Sequence, residues 1–219
     1  MPGALEFELG GESVLALADR ALYWPARRRL LIADLHLGKG NILRSAGIPV
    51  PSGGTGNDLA RLDALLRLTG ARELWILGDF LHGARHTDVE QAWIALRECH
   101  PRVEVAVLVG NHDRALRTGT LGVELLRGDA VDGPFRFRHE PLASPQASSG
   151  HVVCGHLHPV VALPGLPRRY PAFLLADGQT VLPAFSLFAG GWRVDEGHAR
   201  WIACAGGELV AHAGPSRPG

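Results

Sequence analysis

The sequence has little cysteine and no excess of charge of either sign. Its three cysteines, Cys99, Cys154 and Cys204, are too few and too scattered for a disulfide framework, and no CxxC pair indicates a thiolate zinc site. Cys154 lies in an apolar run and is expected to be a small core residue. Lysine plus arginine and aspartate plus glutamate both number 22, so a formal net charge of zero provides no global field that attracts a polyanion.

A long hydrophobic run is also missing. No apolar segment approaches the roughly 20 residues that cross a bilayer, and the stretch MPGALEFELGGE carries acidic residues where a secretory signal carries basic ones. These absences predict a cytoplasmic protein without membrane contact. A hydrophobic content of 46% over 219 residues suffices for one well-buried domain, which we place at residues 1–213, with a flexible tail over 214–219.

Strand and helix signals alternate in the first half of the chain. LEFEL, SVLALA, ALYW, RRRLLIAD, ELWIL and VEVAVLV predict strands, whereas short strands predominate beyond residue 119. One helix is predicted to be capped by Asn57 or Asp58, with apolar residues as far as Leu68 on one face. A second is predicted over DVEQAWIALREC, with Ile94 toward the core. This alternation is typical of a layered α/β fold.

Two stretches between these elements carry specific expectations. Residues 39–57, KGNILRSAGIPVPSGGTGN, predict a long loop with about one helical turn, and loops of that length in a compact domain are usually functional. The arginines at positions 27–29 precede a strand and are predicted to be edge charges that discourage strand pairing.

Several apolar runs end in side chains of the kinds that bind metal ions. Because functional groups collect at the carboxyl ends of strands in α/β sheets, these side chains are expected to converge. Oxygen and imidazole donors suit Mn²⁺, Fe²⁺ or Zn²⁺ better than Mg²⁺ or Ca²⁺, and their number is enough for two divalent ions bridged by one carboxylate. The candidate ligands are Asp34, His36, Asp79, Asn111, His139, His156 and His158. His151 is an alternative to His139.

The ordered motifs DLH, GD, GNHD, H and GHLH, between about residues 30 and 160, resemble the calcineurin-like metallophosphoesterase superfamily. The resemblance implies an α/β fold, a four-layer double β-sandwich flanked by helices. It implies a first metal held by Asp34, His36 and His158, a second held by Asn111, His139 and His156, and Asp79 as the bridge. It also implies that His112 protonates the leaving oxygen while Asp113 orients it, after attack by metal-activated hydroxide.

A narrower resemblance covers most of the chain. The segments GKGNILRSAGIPVPSG, LARLDALL, LWILGDFLHG, FRHEP, CGHLHP and LPAFSLFAGG are similar to bacterial ligase-associated DNA damage response endonucleases, which are encoded beside a DNA ligase, a helicase and an exonuclease. This implies a Mn²⁺-dependent phosphodiesterase that cuts DNA, single-stranded DNA included, in DNA repair. It also implies a functional link to those three enzymes.

The residues around the motifs leave alternatives open. Lys39, Arg44, Arg114 and Arg117 follow ligand motifs and are candidates for contacts with a phosphate backbone, although solvated surface charge is an equal alternative. His82 is expected to pack or bond locally. A phosphatase or a nucleotide phosphodiesterase would use the same metal site, and a homo-oligomer is compatible with the sequence. An inactive binding scaffold is disfavoured because every motif position is filled, His112 included.

Overall fold

Two β-sheets packed face to face form the body of the protein. The computed structural model describes residues 3–83, 86–113, 116–117, 121–145, 148–195 and 199–214. Within those ranges no helix is long and apolar enough to cross a membrane. The remaining residues, which include Arg114 and almost all of the proposed tail over 214–219, lie outside the described part of the chain.

The first sheet contains seven strands in chain order. The first four run antiparallel to one another, and the last four are parallel, with helices in two of the three connections between these parallel strands. The strands are β1 (Ala4–Leu9), β2 (Glu12–Leu17), β3 (Ala21–Trp24), β4 (Arg29–Ile32), β5 (Glu73–Leu77), β6 (Glu104–Leu108) and β7 (Glu124–Leu126). A 3₁₀ turn (Pro25–Arg27) precedes β4, and the helices are α1 (Lys39–Ser45), α2 (Gly54–Thr69) and α3 (Thr87–Cys99).

The second sheet is built from the rest of the chain. Its strands are β8 (Ala130–Asp132), β9 (Phe135–Phe137), β10 (His151–Cys154), β11 (Pro159–Ala162), β12 (Arg169–Ala176), β13 (Gln179–Val181), β14 (Trp192–Arg193), β15 (Arg200–Ala205) and β16 (Glu208–His212). Seven of them lie in the order β14-β11-β12-β13-β10-β9-β8, and β15 joins β12 to β16. Strand β10 is parallel to both neighbours, β9 and β13.

Two apolar cores fix the layers. Between the sheets, Trp24 of β3 meets Phe135 of β9 edge to face, with ring centroids 4.8 Å apart. On the other face of the first sheet, Trp93 of α3 packs against Phe80 at 4.7 Å, together with leucines of α2 such as Leu62. The prediction of two multistranded sheets flanked by helices that come mainly from the first half is confirmed.

Helix α2 differs from the sequence prediction at its N-terminal end. It begins at Gly54, with Gly53 in the left-handed region at φ 86°, and not at Asn57 or Asp58. The ring of Phe188 lies directly on Gly54, where a Cβ would overlap it, so the first turn of the helix has room for this ring only because residue 54 is glycine. Asp58 is buried inside the helix and does not cap it.

The apolar faces of α2 and α3 are narrower than predicted. Ile94 of α3 is exposed, so the prediction that it faces the core was wrong. Leu68 of α2 is exposed as well, although it was predicted to share a face with the other leucines of that helix. Helix α2 buries Leu59, Leu62, Leu65 and Leu66, and α3 buries Val89, Trp93 and Leu96. Leu68 and Ile94 each lie outside the buried stripe of their own helix. The long connection before α2 contains the seven-residue helix α1, rather than about one turn.

Arg29 is not an edge charge as predicted, because β4 is an inner strand. The residue is 4% exposed, and its guanidinium lies 3.8 Å from the centre of the Trp75 ring. It also bonds Glu73 at 2.7 Å and Asp132 of the second sheet at 2.9 Å. A cation surrounded in this way links the two sheets through stacking and paired charges.

Replacing Arg29 by methionine should lower the free energy of unfolding by about 3 kcal/mol, because two partly buried carboxylates would lose their common partner. Urea denaturation monitored by circular dichroism measures this loss. The matched control is Arg102→Met, a change at an exposed arginine, which should leave the midpoint almost unchanged. Equal midpoints for the two variants would contradict the role assigned to Arg29.

Candidate metal centre

The candidate ligands converge where strands of both sheets end. Asp34 follows β4, Asp79 follows β5, and His156 follows β10 of the second sheet. The backbone N–H of His156 donates to Asp34 Oδ2 at 2.8 Å, which joins the two sheets at this point. Side chains from separate parallel strands therefore meet at one edge, as the strand-end pattern predicts.

The backbone at these strand ends is strained. Left-handed φ values are uncommon outside glycine and cost of order 1 kcal/mol or more each, unless the surroundings enforce them. Such residues cluster at functional sites in folded proteins. Five candidate ligands adopt this conformation: Asp34 (φ 53°), His36 (48°), Asp79 (46°), His156 (70°) and His158 (51°).

A first group of donors has no partner for its buried polar atoms. The donor atoms of Asp34, His36 and His158 lie within 4.8 Å of one another. Asp34 Oδ1, His36 Nε2 and His158 Nε2 are buried without a hydrogen-bond partner among the described residues. A buried carboxylate oxygen left unpaired is costly, and a divalent cation between these atoms would satisfy all three. The residues present thus fit a metal ion.

A second group lies beside the first. Donor atoms of Asp34, Asp79 and His139 also lie within 4.8 Å of one another, and His139 Nε2 is 3.1 Å from His156 Nδ1. Asp79 stands between the groups, because Oδ1 is 3.8 Å from His139 Nε2 while Oδ2 is 4.0 Å from His36 Nε2. This spacing is compatible with two cations that share a carboxylate.

Asn111 is exposed at the end of the second group. Its amide Nδ2 donates to Glu140 Oε1 at 3.1 Å, directly beside His139. This bond leaves the amide oxygen, the atom that binds cations, to face away from the carboxylate. His151, the sequence alternative to His139, begins β10 and bonds Thr180 Oγ1 at 2.9 Å, whereas the candidate centre lies beyond the end of that strand.

Outer contacts fix the orientation of three ligand rings. His139 Nδ1 faces the Leu77 carbonyl at 3.2 Å, and His158 Nδ1 faces the Gly190 carbonyl at 3.1 Å. His36 Nδ1 lies 3.3 Å from His82 Nδ1. Partners of this kind set which ring nitrogen is available to a metal. Burial, aided by the charge of Lys39, lowers the pKa of His36 to about 2, which keeps the ring neutral for ligation.

His82 contacts two candidate site residues, whereas the sequence predicted only local packing or bonding for it. Besides its contact with His36, its ring stacks on His112 with centroids 4.6 Å apart. It therefore connects a candidate metal ligand to the candidate general acid. The sequence feature that indicates this role is the position of His82, three residues after Asp79 on the loop that follows β5.

The glycines of the motifs provide space for the ligands. A Cβ on Gly155 would lie 2.7 Å from Asp34 Oδ2, and one on Gly110 would overlap Asp79. A Cβ on Gly78, which also has φ 88°, would overlap the ring of His139. These close approaches explain why GD, GNHD and GHLH each contain glycine beside the donors.

His112 and Asp113 occupy different environments. His112 is exposed, and its backbone N–H donates to Asp79 Oδ1 at 2.9 Å. Asp113 is buried, and its carboxylate accepts from the backbone N–H of Leu81 at 2.8 Å and of Gly110 at 2.9 Å. Burial raises the pKa of Asp113. The carboxylate of Asp113 thus joins the loop that contains Leu81 to the loop that contains Gly110. It would orient His112 through the backbone of this second loop.

The predicted phosphate contacts are not equally placed. Lys39 is half-buried close to Asp34 and Asp79, and burial lowers its pKa while those carboxylates oppose the shift. Arg44 of α1 donates to Asn41 of the same helix and to the carbonyl of Pro51, which lies in the connection between α1 and α2. Arg117 is exposed and contacts the Leu116 carbonyl at 3.2 Å, and Arg114 lies outside the described residues.

One wall of the centre is a segment that follows β13. The backbone N–H of Phe185 donates to the Ala33 carbonyl at 2.7 Å, and that of Ser186 donates to the Asp34 carbonyl at 3.2 Å. From the other side, Asp58 accepts from Leu187 N–H at 3.2 Å and pairs with Arg61, which also bonds the Phe185 carbonyl. Burial raises the pKa of Asp58 to about 6.

Comparison with known proteins identifies relatives of this arrangement. Residues 27–173 match the family model described as calcineurin-like phosphoesterase. The crystal structure of Pseudomonas putida nuclease MPE superposes with a TM-score of 0.81 and 35% sequence identity, over 95% of this chain and 100% of that chain. A protein of unknown function from Aquifex aeolicus aligns with a TM-score of 0.45 at 18% identity, over 59% of this chain and 78% of that chain. No curated protein sequence matches.

Replacing Asp34 by asparagine should stabilise the metal-free protein by about 1 to 3 kcal/mol, because a buried charge with an unpaired oxygen is removed. The same change should abolish stabilisation by Mn²⁺, which for the unaltered protein should reach about 2.7 kcal/mol at a metal concentration 100 times Kd. Urea denaturation with and without Mn²⁺ measures both effects.

The matched control is Asp113→Asn, which changes a carboxylate that already accepts two backbone N–H groups. It should destabilise the metal-free protein and retain a response to Mn²⁺. Asp34→Asn protein that is less stable than wild type without metal, or that responds equally to Mn²⁺, would contradict the assignment.

Proposed function

Because the chain belongs to the calcineurin-like phosphoesterase family, we propose that it is a Mn²⁺-dependent endonuclease that hydrolyses phosphodiester bonds of DNA. Metal-dependent phosphoesterase activity comes with the family. The observation that carries the nuclease proposal is the 35% identity to Pseudomonas putida nuclease MPE over the whole of that chain. The proposal therefore requires no domain that this chain lacks.

Two divalent ions would be held by separate groups of residues. Asp34, His36 and His158 would hold one, and the other would lie among His139, His156 and Asn111, with Asp79 shared. When bound, such ions supply Lewis acidity toward a phosphoryl oxygen and toward an attacking water. The mixture of carboxylate, amide and imidazole donors supports Mn²⁺, Fe²⁺ or Zn²⁺, and the similarity to ligase-associated endonucleases of the PdeM type favours Mn²⁺.

The chain's own side chains would position the phosphate and move a proton. Lys39, with its charge close to both Asp34 and Asp79, would attract the phosphate. His112 would protonate the leaving oxygen from its exposed position, with its ring 5.5 Å from that of His36 and its backbone N–H on Asp79. His82 stacks on His112 and would hold its ring against the site. Arg44, Arg114 and Arg117 would extend the contacts along the DNA backbone.

The cellular role follows the same resemblance. We propose action in DNA repair, linked functionally to a DNA ligase, a helicase and an exonuclease, with single-stranded DNA as a substrate. A phosphatase or nucleotide phosphodiesterase would use the same centre, and a scaffold without activity would not need the unpaired donors of Asp34, His36 and His158. Substrate assays separate these functions.

Purified protein with Mn²⁺ should linearise closed circular single-stranded DNA, because a circle has no end from which an exonuclease could begin. The Asn111→Ala, His112→Ala double variant should leave the circle intact, while His100→Ala, a change at a histidine that bonds Asp63, should cut normally. Gel electrophoresis resolves the two forms. Rapid hydrolysis of a phosphomonoester with an intact circle would replace this proposal by a phosphatase.

The His112→Ala variant should lower kcat/KM for DNA by about 10²- to 10⁴-fold, because the alkoxide leaving group needs a proton. For a p-nitrophenyl diester, which releases a weakly basic phenolate, the loss should be below about tenfold. Steady-state kinetics on the two substrates tests this difference. An equal loss on both would show that His112 does not act as the general acid.

A further inference from the structure

One of the five tryptophans differs from the others in its surroundings. Trp24 and Trp93 are buried and donate their ring N–H groups to Glu12 and to the Leu121 carbonyl. Trp75 meets Phe137 at 5.0 Å, and Trp201 stacks on His212 at 5.1 Å. Trp192, by contrast, is 50% exposed. Its indole has no ring contact or hydrogen bond with any residue in the described ranges.

The backbone of Trp192 is fastened directly to a candidate metal ligand. Its N–H donates to the His158 carbonyl at 3.0 Å and approaches the Leu157 carbonyl at 3.3 Å. Two residues earlier, the Gly190 carbonyl faces His158 Nδ1 at 3.1 Å. The segment 190–192 thus contacts both the main chain and the imidazole ring of His158.

The position of Trp192 is also well defined by the sheet. Strand β14 pairs in parallel with β11, with Trp192 opposite Pro159. A Cβ on Gly191 would overlap the side chain of Val160, so the chain directly before Trp192 packs closely against β11. The exposed indole is therefore carried on fixed backbone at the rim of the centre, which limits the entropy lost when a ligand covers it.

The segment that carries Trp192 exposes two large apolar side chains. Large exposed apolar side chains in the described ranges are few, and two of them, Leu187 and Trp192, belong to the same segment beside the centre. An exposed tryptophan without a partner is unusual, since its large face gains much from burial. Because the chain has no net charge, a nucleic acid must gain affinity from local contacts.

On the basis of the proposed function, we propose that Trp192 stacks on an unpaired nucleobase next to the scissile phosphate. Every base offers a π face, and stacking of a base on an aromatic side chain contributes about 1 to 3 kcal/mol without regard to sequence. In a duplex both faces of a base are covered by neighbouring pairs, so this contact is made only with an unpaired or splayed strand. Trp192 is thus a binding residue for the strand that enters the metal centre.

The test compares two oligodeoxynucleotides of equal length, oligo(dT) and a fully abasic analogue, with the same phosphodiester backbone. Wild-type protein with Mn²⁺ should cleave oligo(dT) with a kcat/KM about 5- to 100-fold above that for the abasic strand. Trp192→Ala should reduce this ratio to near 1, and Trp192→Phe should retain most of it. Ile94→Ala removes an equally exposed apolar side chain from α3 and should leave the ratio at the wild-type value.

The outcomes separate this inference from the proposed function. Cleavage of both strands by wild-type protein at equal rates, or an equal loss on both strands in Trp192→Ala, would overturn the stacking role while nuclease activity stands. Failure of wild-type protein to cleave either strand would instead overturn the nuclease proposal itself. Circular dichroism of each variant verifies that the fold is intact.

Discussion

The buried carboxylate of Asp34 is the group on which the rest of the centre depends. It is fully excluded from solvent, and one oxygen receives the backbone N–H of His156 from the opposite sheet. The backbone of Asp34 also bonds Gly78 after β5 and Ser186 after β13. Three chain segments therefore meet at a single acidic residue, whose second oxygen has no partner among the described residues. A divalent cation resolves that unfavourable burial, and the same cation would activate a phosphate ester.

The fold accepts local strain in order to present its ligands. Five candidate ligands have left-handed backbone, and glycines at positions 78, 110 and 155 give them room. The packing of the surrounding sheets offsets the free-energy cost of this backbone conformation. Trp24, Phe135 and the stacked Arg29 hold the two sheets together. A rigid framework of this kind can hold several donors in place before metal binds.

The sequence predicted the features that depend on local pattern. Strand ends, their order and the motif donors were readable because periodicity and turn residues are encoded within short windows.

Features that depend on contacts between distant parts of the chain could not be predicted from such windows. Asp58 was predicted to be one of two candidate caps of α2, yet the helix starts at Gly54, and Asp58 is buried within it against Arg61. Arg29 looked like an edge charge because no pattern shows that Asp132 lies across from it. Likewise, the stacking of His82 on His112 arises from loops that meet only in the folded chain, and the exposure of Trp192 depends on where β14 pairs in the second sheet.

The most direct test of the central claim is anomalous diffraction at the manganese edge from crystals grown with Mn²⁺. We expect two peaks about 3.5 to 4 Å apart, one bounded by Asp34, His36 and His158, with Asp79 between it and a second peak beside His139 and His156. A single peak, or peaks away from the unpaired oxygen of Asp34, would contradict the account of this strand edge as a dinuclear metal centre.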